Sequence, residues 1–202
     1  YESVNQINEM REEFTARVRE LEEADLSVID PSLETSTTNY FLAYHNQNDR
    51  DLQSAIARVH LKSCPKLGWT APHCEATRKP TGKIRIGFLS CYFRRHSVGK
   101  LMVGLITSMP KKLFEVVVIT VPGQRDPIAL SIEQAADEIL YLPEDFFEAQ
   151  HAIGLKELDI LFFTEIGMDI RTYFLAFARL APIQCVTWGH PDTTGIPNLD
   201  TF

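Results

Sequence analysis

Beyond Pro80, short apolar runs alternate five times with amphipathic stretches, and no hairpin signal separates them. The runs are Lys83 to Ser90, Phe114 to Val121, Glu138 to Leu142, Leu158 to Phe163 and Pro182 to Thr187. Between them, Val98, Leu101, Met102, Leu105 and Ile106 recur at helical spacing, and Ser97 is placed to cap that helix. A second helix starts at Asp126-Pro127, with Asp at the cap and Pro at the first helical position. Two more span Pro143 to Leu155 and Ile170 to Ala178, the last capped by Asp169. Strands that repeatedly alternate with helices pair in parallel, because only a crossover returns the chain to the same end. The expected fold is α/β: a Rossmann-like parallel sheet with helices on both faces.

The first eighty residues follow a different rhythm. Val4, Ile7, Met10, Phe14, Val18 and Leu21 form an amphipathic stripe over residues 1–24, broken by Asp30-Pro31-Ser32. Thr38 to His45 reads as a second helix, Asn46 to Asp49 as a turn, and Asp51 to Lys62 as a third helix. Pro65, Pro72 and Pro80 punctuate an irregular connector. The expected organisation is a helical segment over 1–80 and an α/β domain over 81–202. The apolar run opening at Asn198 to Phe202 suggests a piece of a longer chain.

Bulk composition narrows the function. Twenty Lys and Arg against twenty-seven Asp and Glu give a net charge of −7, which disfavours nucleic acid as the main partner. No apolar stretch reaches the length of a membrane span. Cys64, Cys74, Cys91 and Cys185 include no C-x-x-C pair and are expected to be free thiols. His60, Cys64, His73 and Cys74 were weighed as zinc ligands, but adjacent ligands at 73 and 74 fit finger spacings poorly, so no metal is expected.

Ligands of open parallel sheets bind at the carboxyl ends of the strands. Three loops there carry chemistry. Cys91 to Ser97 lacks a G-x-G-x-x-G fingerprint but offers Arg94, Arg95 and His96 before a helix. The arginines and helix N-terminus suit an anion, and His96 suits a general base or a hydrogen-bond donor. The same residues also suit an ordinary capping loop. Thr164 to Gly167 contains Glu165, a carboxylate that suits catalysis, although a single acid at a strand end is more often a cap or an ion-pair partner. Trp188 to Gly195 brackets His190, Pro191, Asp192, Thr193 and Thr194 between glycines; it suits either sugar hydroxyls or a tight turn.

The run Arg179-Leu180-Ala181-Pro182-Ile183-Gln184-Cys185-Val186-Thr187-Trp188-Gly189-His190-Pro191-Asp192-Thr193-Thr194-Gly195 resembles a segment of the O-GlcNAc transferase and SPINDLY family. Ile86-Gly87-Phe88-Leu89-Ser90 through His96 resembles a second block of that family. Asn39 to His45 with Asn48-Asp49-Arg50 resembles the helical linker that bacterial members carry after their tetratricopeptide repeats. The resemblance implies the N-terminal half of a two-domain GT-B transferase. Such an enzyme moves a sugar from a nucleotide donor to protein Ser or Thr hydroxyls with inversion, without a metal or other cofactor. The implied donor is UDP-GlcNAc, with GDP-fucose as the alternative, and the implied setting is the bacterial cytoplasm. His96 matches the family's cleft histidine, and Trp188, Gly189, His190, Pro191, Thr193 and Thr194 match the loop near the donor sugar. Most nucleotide contacts belong to the C-terminal half, so this chain alone is expected to be inactive. Tyr92 stands where the family has an acid, Lys100 where animal members have a second histidine, and residues 164–167 also depart from the pattern. A non-catalytic peptide- or sugar-binding module of the same fold is the alternative reading, and a GT-B enzyme acting on a free sugar is a third.

Overall fold

The computed structural model describes residues 2–35, 38–75 and 82–201. Five strands, β1 (Ile84–Leu89), β2 (Phe114–Thr120), β3 (Glu138–Tyr141), β4 (Ile160–Phe163) and β5 (Ile183–Val186), form one sheet in the order β3-β2-β1-β4-β5. Every pairing is parallel, with Ile86 opposite Val116 and Ile160, and Phe163 opposite Val186. The fold is α/β and Rossmann-like, as the alternation of elements leads one to expect.

Strand periodicity divides the core into two layers. Ile86, Phe88, Val116 and Val118 point to one face, where they meet Val98, Met102 and Ile106 of one helix and Ile132 of the next. Leu89, Val117, Ile119, Leu161 and Phe163 point to the other, against Phe146, Ile153, Phe174 and Phe177. The winding explains the split. Helices Ser97–Thr107 and Pro127–Ala135 carry the chain outward from β1 to β2 to β3; Phe146–Gly154 and Ile170–Leu175 carry it back across to β4 and β5. The direction reverses between β1 and β4, which is the switch point where such sheets open a crevice.

The N-terminal segment holds α1 (Val4–Glu23), α2 (Pro31–Glu34), a 3₁₀ turn at Tyr40–His45, α3 (Arg50–Ser63), a second 3₁₀ turn at Pro65–Gly68 and α4 (Pro72–Glu75). The helices of the sheet domain, named above in chain order, are α5 to α8. Val18, Leu42, Leu52, Ile56 and Val59 form a small core of their own. Ala57, Cys64 and Leu67 belong instead to the core beneath β1, β2 and β4, so the segment and the sheet share apolar contacts. No helix among the described residues is long and apolar enough to cross a membrane.

Several local expectations are corrected. Residues 40–45 form a 3₁₀ turn rather than an α-helix, ended by Asn46 in the left-handed region at φ 53°. Helix α7 starts at Phe146, three residues later than expected, because Asp145 accepts a hydrogen bond from the Glu148 amide and caps it there. Helix α8 ends at Leu175, short of Ala178. The cap of α5 is His96, with Ser97 the first helical residue. Asp126 and Asp169 cap their helices as expected.

Candidate functional site

At the switch point the loops that follow β1 and β4 meet. Glu165 is fully buried there, and its Oε1 accepts from the Cys91 amide at 3.1 Å. Its other oxygen engages the Thr164 hydroxyl. Burial pushes the carboxyl up to about 7, against the pull of hydrogen bonds from Thr164, Ser90 and Cys91, while nearby Asp169 pushes it further up. The carboxyl thus ties the two loops together, and no face of it meets solvent. Cys91 is likewise committed: its thiol donates to Asp169 Oδ1 at 3.4 Å, and burial raises it far above the range where a thiolate forms.

His96 sits at the end of the β1 loop. Two close backbone contacts, Arg94 N to Tyr92 O at 2.7 Å and His96 N to Arg94 O at 2.6 Å, wind the loop tightly into α5. The His96 backbone is extended, and Nδ1 accepts from the Val98 amide at 3.2 Å. The ring stacks on Tyr92 with centroids 4.4 Å apart and planes 22° apart. The residue is half-buried, so the imidazole keeps access to solvent. Burial and then the Arg94 charge hold it below the ordinary histidine value. A neutral imidazole whose Nδ1 accepts must carry its proton on Nε2. Capping therefore leaves the outward nitrogen as a donor.

The β5 loop divides into an inward and an outward set. Gly189 lies directly on the β4 loop: a Cβ there would come within 1.8 Å of the Thr164 carbonyl oxygen. His190 turns in, only 4% exposed, and stacks on Tyr40 of the N-terminal segment at 4.5 Å and 19°. Asp192 accepts from Gln53 Nε2 at 2.7 Å and from the Thr193 amide at 2.8 Å. Burial and neighbouring Asp49 raise its carboxyl. Asp49 itself is buried and paired with Arg11 at 2.5 Å. The Thr194 hydroxyl accepts from the Ile196 amide at 3.3 Å. Gly195 adopts φ +65°, and a Cβ there would come within 2.4 Å of the Gln53 carbonyl carbon in α3. Trp188, 64% exposed, Pro191 and Thr193 face outward. Of the expected sugar-loop residues, these three keep exposed surface while His190 lies inside.

The conspicuous Gln184 proves to be scaffolding. Its buried amide accepts from Leu180 N at 2.8 Å and donates to the carbonyls of Ala178 at 3.0 Å and Asn198 at 2.7 Å. Asp200 accepts from Gln184 N and pairs with Arg179 at 2.6 Å, which lays residues 198–201 beside β5. The four candidate metal ligands do not converge: Cys74 Sγ lies 3.5 Å from His73 Nε2, but that nitrogen is 3.2 Å from the Leu158 carbonyl oxygen, and His60 packs edge-on to Phe174 at 4.9 Å. Among the described residues no three His, Cys, Asp or Glu side chains converge as a metal site would require.

Tyr40 and Gln53 hold the β5 loop from the other segment. Nothing local marks them for that role, because one lies in a short turn and the other in a helix, where such residues are ordinary. No protein-family model matches this chain, and no curated protein does. Among solved structures, the chain is similar to a point mutant of Thermobaculum terrenum O-GlcNAc transferase, at 24% identity and a TM-score of 0.56. The match covers 62% of this chain and 24% of that one. The likeness is one of fold, and this chain spans about a quarter of that protein.

Proposed function

We propose that this chain is the N-terminal catalytic half of a GT-B glycosyltransferase that moves a sugar, GlcNAc by preference, from a nucleotide donor to protein Ser or Thr hydroxyls. The observation that carries the proposal is the placement of two family-like blocks. His96 and the Trp188 to Gly195 loop lie far apart in sequence but emerge at the same edge of one parallel sheet, on strands close to its switch point. Glu165 and Gly189 bring the intervening loops into contact.

In this reading His96 acts through Nε2–H. Displacing a nucleoside diphosphate builds negative charge on the leaving phosphate, and a preorganised donor stabilises that charge as it develops. The cap at Val98 fixes the tautomer and the ring plane, and Tyr92 backs the ring. As a base, His96 would need its proton moved to Nδ1, and the cap would be lost. Trp188 and Thr193 offer a stacking surface and a hydroxyl for the sugar or acceptor. The match spans about a quarter of the similar transferase, and these 202 residues on their own are expected to transfer nothing. The test is incubation of the full-length protein with UDP-GlcNAc, or GDP-fucose, and candidate acceptors, read by mass spectrometry of Ser and Thr. A mass increment of one sugar is expected; binding of either without transfer would favour the non-catalytic module, and consumption of donor with a free sugar as acceptor would favour the third reading.

A further inference from the structure

A concavity opens on the other side of β1 from the switch point, above β1, β2 and β3. It measures about 330 Å³ and is bounded by Phe93 and Arg94 of the β1 loop, Thr120 to Arg125 after β2, Ala129 of α6 and Tyr141 of β3. Phe93 and Ala129 are buried and form an apolar floor, and Val121 and Pro122 continue it toward the rim. Arg94 reaches across from its own loop: its guanidinium lies 3.9 Å from where a Gly123 Cβ would stand. Three charged side chains border the space. Arg125 pairs with Glu133, and Glu133 also accepts from the Tyr141 hydroxyl at 3.0 Å, so these two cancel. Arg94 makes no ion pair among the described residues, and its contact is with the Tyr92 ring at 5.7 Å. A protein of net charge −7 thus leaves one uncompensated guanidinium over an apolar floor.

We propose that this cleft binds a small organic anion with a flat apolar body, its charged group seated on Arg94 and its body on Phe93, Val121 and Ala129. A guanidinium fork matches the paired oxygens of a carboxylate or phosphate, and the volume suits one small ligand. A carboxylate and a phosphate monoester share this chemistry. The site does not depend on sugar transfer, so it stands or falls apart from the proposed activity. It does touch the candidate reaction site: Arg94, Tyr92 and His96 are layered in contact, and Arg94 is the charged neighbour that, after burial, lowers the His96 imidazole. An anion on Arg94 neutralises that influence and raises the His96 midpoint.

The experiment is a two-dimensional NMR titration of the 202-residue chain with phenyl phosphate, benzoate and neutral benzyl alcohol. Saturable shifts at Thr120, Val121, Gly123 and Ala129 are expected with at least one anion, in the millimolar range usual for so small a ligand. Which anion binds more tightly tells phosphate from carboxylate. Benzyl alcohol should bind about tenfold or more weakly, and Arg94→Gln should cost the anion a similar factor, as loss of a charge-assisted hydrogen bond does. Lys112→Gln, an exposed cation outside the cleft, should leave affinity unchanged and controls for general charge. The His96 ring resonances should titrate at higher pH with the anion bound. Absence of saturable shifts with both anions, equal binding of benzyl alcohol, or undiminished binding by Arg94→Gln would each overturn the proposal. So would an acidic peptide that shifts these resonances where neither small anion does.

Discussion

The two halves of the sheet's carboxyl edge are built on opposite plans. Over β4 and β5 the loops are clamped: the N-terminal segment reaches in with Tyr40 and Gln53, and two glycines stand where no Cβ fits. Over β1 and β2 the loops flank an open cleft, and nothing lies closer than 3.9 Å to a Cβ placed on Gly123. The clamped half holds backbone and rings in one geometry, as a site that must orient a substrate needs. The open half leaves a guanidinium and apolar surface accessible, as a site that must admit a ligand needs.

The contrast is broken most sharply by placing the same methyl group on each side. Gly195→Ala should destabilise by about 3 kcal/mol, through positive φ and collision with α3, whereas Gly123→Ala should stay within about 0.5 kcal/mol. Denaturant unfolding of both variants checks this. Equal losses would mean that the β5 loop is not clamped as described.

The next effect is one of pH. Glu165 is raised from 4.5 to about 7 in the folded chain, so its favourable contribution is complete below pH 4.5 and lost as pH rises to 7. His60, buried against Phe174, is lowered from 6.5 to about 4, so its contribution is complete above pH 6.5 and lost as pH falls to 4. Each is worth on the order of 3 kcal/mol, and between about pH 4.5 and 6.5 they oppose one another. Glu165→Gln removes the first alone. The variant should lose stability on acidification from pH 6.5 more steeply than the parent, as measured by melting temperature across that window. Parallel pH curves would show that burial does not raise the Glu165 carboxyl.

The smallest effect separates cap from chemistry at His96. Alanine there should cost about 1 kcal/mol, the usual value of a lost N-cap, while asparagine, itself a good cap, should cost a few tenths. Thermal unfolding of the two variants measures the difference. Equal losses would remove the cap, and with it the argument for the tautomer.

Much of this architecture was legible from the chain. The alternation after Pro80 led directly to a parallel sheet, since β-branched runs such as Glu115 to Thr120 have few other uses. Asp126-Pro127 and Asp169 marked helix starts by local chemistry alone. What was not legible depends on contacts remote in sequence. His190 and Trp188 sit two residues apart in one motif, yet one is buried on Tyr40, 150 residues earlier, and the other is exposed. Ser97 looked the better cap because serine usually is, and only the extended backbone at His96 decides otherwise. Nor does its place in the motif say what Gln184 does; its partners at 178, 180 and 198 show a turn held closed.

The central claim is that His96 and the Trp188 loop serve one reaction, with His96 donating from Nε2 to a leaving phosphate. The most direct measurement is sugar-transfer turnover of the full-length protein carrying His96→Asn, compared at equal folded fraction with the parent. The account predicts a fall of about 10²-fold or more, the usual cost of removing one preorganised donor, with the melting temperature nearly unchanged. Near-parental turnover in that variant would contradict it.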